Sequence, residues 1–148
     1  MSKVEKAVEQ FEKGYNCSQA VLSTYCEQLG LDYDTALKIA TGFGGGMHID
    51  GTCGAITGAF MALGLKYGNT IAKDQVTKEN VYIKIIKFSR RFNDQHGSTQ
   101  CHELLGCDIT KKEGLEIARQ KGVFSVTCPN MVKSAAEILE KMFEEKDG

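Results

Sequence analysis

Residues 43–68 read FGGGMHIDGTCGAITGAFMALGLKYG, and the rest of the fold is read outward from them. Gly44, Gly45 and Gly46 allow backbone angles closed to other residues. Thr52 is a good N-cap, which puts Cys53 in the first turn of a helix running to Tyr67 and stopped by Gly68. Unpaired N–H groups and the positive end of the helix dipole meet at such a turn, and both favour a thiolate. Gly54, Gly58 and Ala62 share one face at i, i+4 spacing. Glycine inside a helix is destabilising by about 1 kcal/mol relative to alanine, so this face is expected to meet a closely approaching neighbour.

Helical periodicity continues on both sides. Upstream, Val4, Ala7, Val8 and Phe11 mark a helix over 3–13 that Gly14 ends. Asn16 caps a second helix from Cys17 to Gly30, with Val21, Leu22, Tyr25, Cys26 and Leu29 as its apolar stripe. Asp32 or Asp34 caps a third, containing Ala36, Leu37, Ile39, Ala40 and Phe43. Downstream, a long helix spans Thr77–Gln95, with Val81, Tyr82, Ile85, Ile86, Ser89 and Phe92 inward and Lys84, Lys87, Arg90 and Arg91 outward. Gly97 ends it. Ser98 or Thr99 caps a short turn that begins at Cys101. Asp108 or Thr110 caps a further helix with Leu115, Ile117 and Ala118 inward. Residues 123–132 read as a short extended piece, with Pro129 suited to a first helical turn, and a last amphipathic helix covers about 130–144. The expectation is an all-α bundle of six to seven helices forming one domain over 1–148.

Composition agrees with a folded helical chain. Of 148 residues, 42% are hydrophobic and 25% charged, and there is one proline and no tryptophan, values that suit a single core of its own. A net charge of −1 gives no bulk electrostatic case for nucleic acid or a membrane surface. No apolar run is long enough to span a bilayer, and the charged, amphipathic N-terminus lacks a signal-peptide core. The expected location is cytoplasmic, where stable disulfides are rare. That directs attention to the six cysteines.

Cys17, Cys53, Cys101 and Cys128 each fall at or just before an expected helix start. Four such starts converging would make an electropositive cup lined by sulfur. Cys26 lies on an apolar stripe and Cys107 at a helix end, and both read as packing residues. The plain alternative for the four is that they are small buried hydrophobes. Structural zinc sites usually carry C-x₂₋₄-C knuckles, and ferredoxins have their own spacings; neither pattern occurs here. A cluster with dispersed ligands and a dithiol–disulfide pair both remain open.

The segments YNCSQAV at 15–21, GFGGGM at 42–47, CGAITGA at 53–59 and FNDQHGSTQCHELLGCD at 92–108, with the late Cys128, resemble the small redox-active proteins named for their C_GCAxxG_C_C pattern. The central motif here runs Cys53-Gly54-Ala55, cysteine before glycine. The family's four cysteines map onto Cys17, Cys53, Cys101 and Cys128. The resemblance implies a redox or metal role for them, and a similar domain in a multihaem cytochrome is associated with an iron–sulfur centre. The chain has no C-x-x-C-H, so covalent haem attachment is not expected.

The combined expectation is an electron-transfer or thiol-redox protein. In one version all four cysteines are ligands of an iron–sulfur cluster, [2Fe–2S], and helix-start N–H groups tune its potential. In the other, Cys53 is the catalytic nucleophile, with Cys17 as the second catalytic thiol. The alternative is a non-redox metal carrier or sensor that holds zinc on the same thiolates. Whether the chemistry is enzymatic, which redox partner is used and whether the chain forms a homo-oligomer stay open at this stage. His48 and His102 lie near the cysteines in sequence. His48 could donate to a sulfur or a bound anion, while His102 reads as solvated, and His96 has only a structural reading. The glycine loop lacks the Lys-Ser/Thr and the preceding strand of a P-loop, so its expected role is to let the chain pass close beside the cysteines. The Lys84–Arg91 face reads as solvated surface.

Overall fold

The computed structural model describes residues 1–145. These form eight α-helices: α1 Lys3–Glu12, α2 Cys17–Tyr25, α3 Tyr33–Ala40, α4 Gly54–Tyr67, α5 Gln75–His96, α6 Cys101–Leu105, α7 Lys112–Gln120 and α8 Thr127–Glu144. The all-α expectation holds among the described residues, and the count rises to eight because the turn at Cys101 closes into the short helix α6. Three 3₁₀ turns at Glu27–Leu29, Thr41–Phe43 and Gly46–His48 complete the path.

Helix α2 is the hub. Asn16 caps it reciprocally with Gln19: the Asn16 side chain accepts from the Gln19 N–H at 2.9 Å, and the Gln19 side chain accepts from the Asn16 N–H at 3.0 Å. Eight of its nine residues, all but Gln19, are buried, because α1, α3, α4 and α8 pack around it. The face expected to be approached closely is confirmed on this helix. A Cβ built on Gly58 would lie 2.6 Å from the Ser18 carbonyl oxygen and 3.1 Å from Ser18 Cα, so the α4 backbone rests directly on α2. The main core, with Tyr25, Ile56, Leu63, Phe88, Phe92 and Leu139 among its members, lies between α2, α4, α5 and α8.

Several boundaries differ from expectation, each for a local reason. Cys53, not Thr52, is the N-cap of α4, because Thr52 is held in an isolated backbone bridge to Gln100. Helix α5 begins earlier than expected, since Asp74 caps it by accepting from the Thr77 N–H at 3.2 Å. Ser98 does not cap α6 directly: its hydroxyl accepts from the Gln100 N–H and donates to Glu103. Asp108 folds back onto the Thr110 N–H and leaves Lys111 at the cap of α7. Residues 123–126 are not extended. Gly122, at φ +68°, ends α7 and its carbonyl accepts from Ser125 and Val126, so α8 starts at Thr127 with Pro129 in its first turn. Tyr82, Ile86 and Ile117, expected inward, are exposed. The inner face of α5 turns instead through Val81, Phe88 and Phe92.

Candidate functional site

The four cysteines are separated by up to 111 residues, yet they line one cavity. Cys17 is the first residue of α2, Cys53 the N-cap of α4, Cys101 the first residue of α6 and Cys128 the second residue of α8. Cys17 feels the other three thiols electrostatically, Cys101 feels Cys53 and Cys128, and Cys53 feels Cys128. All four line one open cavity of about 730 Å³. Each is only 6–8% exposed, so the sulfurs form its floor and are approached through it. Its walls are mainly apolar: Phe11, Leu105, Ile109, Leu115, Phe124 and Met131 among others. All six cysteines are free thiols.

Backbone contacts fix this convergence. The Cys53 N–H donates to the Thr99 carbonyl at 2.9 Å, and the Cys101 N–H donates to the Gly51 carbonyl at 2.9 Å. This reciprocal pair locks the starts of α4 and α6 side by side. The glycine loop then passes against the sulfur-bearing residues. A Cβ on Gly54 would meet Cys17 Cβ at 3.2 Å, and one on Gly46 would meet Cys101 Cβ at 2.8 Å. One on Gly44 would collide with the Asn16 side chain that caps α2. The loop therefore does what its glycines suggest: it brings backbone where side chains would keep α2, α4 and α6 apart.

The loop carries a strained conformation. Met47, His48 and Asp50 all have positive φ, between 55° and 60°, a region uncommon for residues other than glycine. Strain of this kind persists where surrounding structure holds it, and Asp50 supplies the hold. Its carboxylate accepts from the His102 N–H at 3.2 Å and pairs with His102 Nδ1 at 2.8 Å. The loop is thereby clamped to α6. Sequence reasoning gave Asp50 no role, since no spacing links residues 52 apart. His102 is half-exposed and engaged with Asp50, not merely solvated, while His48 is exposed and lines the cavity. His96 lies elsewhere, with Nε2 2.8 Å from Ser134 Oγ and its ring against Phe92.

The thiols are not equivalent. The Cys17 thiol donates toward the Cys128 sulfur. That bond, then burial and the neighbouring sulfurs, push Cys17 well above the ordinary thiol range. The same bond lowers Cys128. Burial pushes Cys53 up to about 11, although the N–H groups of Ala55 and Ile56 pull the other way. Burial and the sulfurs of Cys53 and Cys128 push Cys101 up to about 12. The helix start thus acts on Cys53 in the expected direction, but loss of solvent outweighs it. Among the described residues, no three His, Cys, Asp or Glu side chains gather closely enough to hold a single metal ion. The other two cysteines stand apart from the cavity. Cys26 packs with Leu22, Ala36 and Ala40 and donates to the Ser23 carbonyl at 3.4 Å. Cys107 is half-buried, its sulfur 3.7 Å from the Leu105 carbonyl.

Among the described residues, no helix is long and apolar enough to cross a membrane. Residues 15–142 match the model of the family described as "Putative redox-active protein (C_GCAxxG_C_C)". No curated protein and no solved structure matches the chain.

Proposed function

The chain belongs to the C_GCAxxG_C_C family, and from that premise we propose that it is an electron-transfer protein whose working group is an iron–sulfur cluster held by Cys17, Cys53, Cys101 and Cys128. The observation that carries this reading is that four buried cysteines, from four helix starts, line one cavity. The donor set fits such a group: four thiols suit iron and sulfide. In a [2Fe–2S] cluster each iron takes two of the thiols, so no three of them need surround a single ion. When bound, the cluster supplies one-electron transfer. The chain's own residues set its surroundings. The N–H groups of Ala55 and Ile56 favour negative charge on the Cys53 sulfur, and hydrogen bonds to ligand sulfurs raise a reduction potential. The apolar walls limit water at the sulfurs, and the Asp50–His102 clamp holds Cys101 in place. Three of the four thiols are held protonated by burial and by one another, so metal binding releases protons and weakens as pH falls.

A second reading rests on one contact, that between Cys17 and Cys128. Here Cys128 attacks a disulfide of an oxidising partner and releases one partner thiolate. Cys17 loses its proton, attacks the Cys128 sulfur of the mixed disulfide and releases the second partner thiol. Two chain thiols become one disulfide, and one partner disulfide becomes two thiols. Anaerobic purification followed by iron and acid-labile sulfide analysis separates the readings. Equal iron and sulfide with visible absorption is the expected result. Iron-free protein that reversibly forms a Cys17–Cys128 disulfide would replace the first reading with the second. Stoichiometric zinc without sulfide would make the chain a non-redox metal carrier.

A further inference from the structure

Helix α5 is 22 residues long, and only one side of it is used. Val81, Phe88 and Phe92 are buried. On the opposite side Val76 is 81% exposed, Ile83 61% and Ile86 51%. The exposed positions Val76, Glu79, Ile83, Ile86, Arg90 and Asn93 follow one another at alternating steps of three and four, the spacing of a helix–helix seam. A surface groove formed by α5 side chains alone, with Ile83, Ile86 and Arg90 among its lining residues, runs along this side. A solvated helix face has no use for two isoleucines at the centre of such a stripe.

The charges on the stripe identify what covers it. Glu79 and Arg90 lie equally far on either side of the midpoint between Ile83 and Ile86. Neither has an ion-pair partner among the described residues. We propose that the outer face of α5 pairs with the same face of a second copy of this chain, the two helices running antiparallel about a two-fold axis between Ile83 and Ile86. A two-fold interface is self-complementary. In this register Ile83 of each copy meets Ile86 of the other, and Glu79 of each meets Arg90 of the other. The parallel arrangement would set Glu79 on Glu79 and Arg90 on Arg90, so the charge pattern selects the antiparallel one. The four-cysteine cavity draws none of its lining from α5, so the pairing leaves the cavity lining intact.

Sedimentation velocity of the full chain tests this, with a thiol reductant present so that no intermolecular disulfide forms. The wild-type protein is expected to show a reversible, concentration-dependent dimer. A monomer at all concentrations up to the millimolar range overturns the proposal. Glu79→Arg and Arg90→Glu each place like charges at two symmetry-related contacts and should weaken the dimer on the order of tenfold or more. The double variant Glu79→Arg/Arg90→Glu restores opposite charges and should recover most of the dimer. If both single variants dimerise like wild type, or the double variant stays as weak as either single one, the antiparallel register is wrong. Both positions are exposed, so circular dichroism is expected to be unchanged throughout. Ile83→Asp should give a folded monomer, and a dimer in that variant would also overturn the seam.

Discussion

Helices α4 and α5 are neighbours in the chain and in space, yet they are built in opposite ways. Helix α4 is wrapped on several sides, with Ala55, Ile56, Ala59, Ala62 and Leu63 all fully buried. It has no strong polar face and uses glycine where α2 touches its backbone. Helix α5 is longer and more polar, but buries only a narrow stripe and leaves large apolar side chains in solvent. The difference shows how the molecule divides its work. Close backbone contact around α2 and α4 holds the sulfur-bearing helix starts in register. The outer side of α5 adds little to that register and is free to serve contacts with other molecules.

The contrast is sharpest in the two faces of α5. Phe88→Ala removes a fully buried ring that packs edge-on against Phe60, and should cost about 3–5 kcal/mol. Ile83→Ala on the outer side should cost the isolated monomer less than about 0.5 kcal/mol. Urea unfolding of both variants at dilute concentration measures this, and comparable losses would remove the division between the faces. Gly58→Leu comes next. Overpacking costs about 1–3 kcal/mol and occasionally more, and here even the first added carbon meets the backbone of Ser18. Ala62→Leu, whose Cβ is already accommodated, should be the milder of the two. Thermal melts that rank them equal or in reverse would show that α2 can back away from α4.

The cysteines extend the same contrast to the site. Serine at Cys17, Cys53, Cys101 or Cys128 should abolish or strongly reduce bound iron and sulfide, with fold retained by circular dichroism. Serine at Cys107 should leave the content largely intact. Cys26→Ser places a hydroxyl in the small cluster with Leu22, Ala36 and Ala40, so its expected effect is on stability, about 1 kcal/mol, and not on metal. Loss of iron from Cys107→Ser together with its retention in Cys128→Ser would break the four-cysteine assignment.

Much of this was legible in the chain itself, because it is carried by local rules. Helix periods, the Asn16 and Asp32 caps and the glycine stops act within a few residues. The helix-start positions of the four cysteines follow from those same rules, and so does the suspicion that Gly58 lies against a neighbour. What was not legible depends on tertiary contact. The bridge between Thr52 and Gln100, which moves the cap of α4 to Cys53, joins residues far apart in sequence. So does the Asp50–His102 clamp. The inner face of α5 was misread at Tyr82 and Ile86 because its sequence is apolar on both sides, and periodicity alone does not say which side meets the core. The thiolate that the helix start favours at Cys53 is likewise overridden. A helix start is visible in sequence, but the burial that outweighs it at Cys53 is a property of the packed cavity.

The smallest expected effect lies at the end of α5, where the helix returns to the core. His96 packs at a tilt against Phe92 and pairs with Ser134, and burial lowers its pKa below the usual histidine value. The unfolded chain therefore binds more protons than the folded one as pH falls through about 6.5. Stability associated with neutral His96 is fully present above that pH. It is lost as pH falls toward the lower folded-state value, below which both states are protonated and the slope vanishes. A glutamine can keep a hydrogen bond to Ser134 without titrating. Thermal melts of wild type and His96→Gln between about pH 7.5 and 5.5 should show the wild type losing more stability on acidification, the two curves running parallel above about pH 7. Parallel curves across the whole range would mean that His96 accepts its proton in the folded chain as readily as in water. The inner side of α5 would then be as open to solvent at its last turn as the outer side is at Ile83.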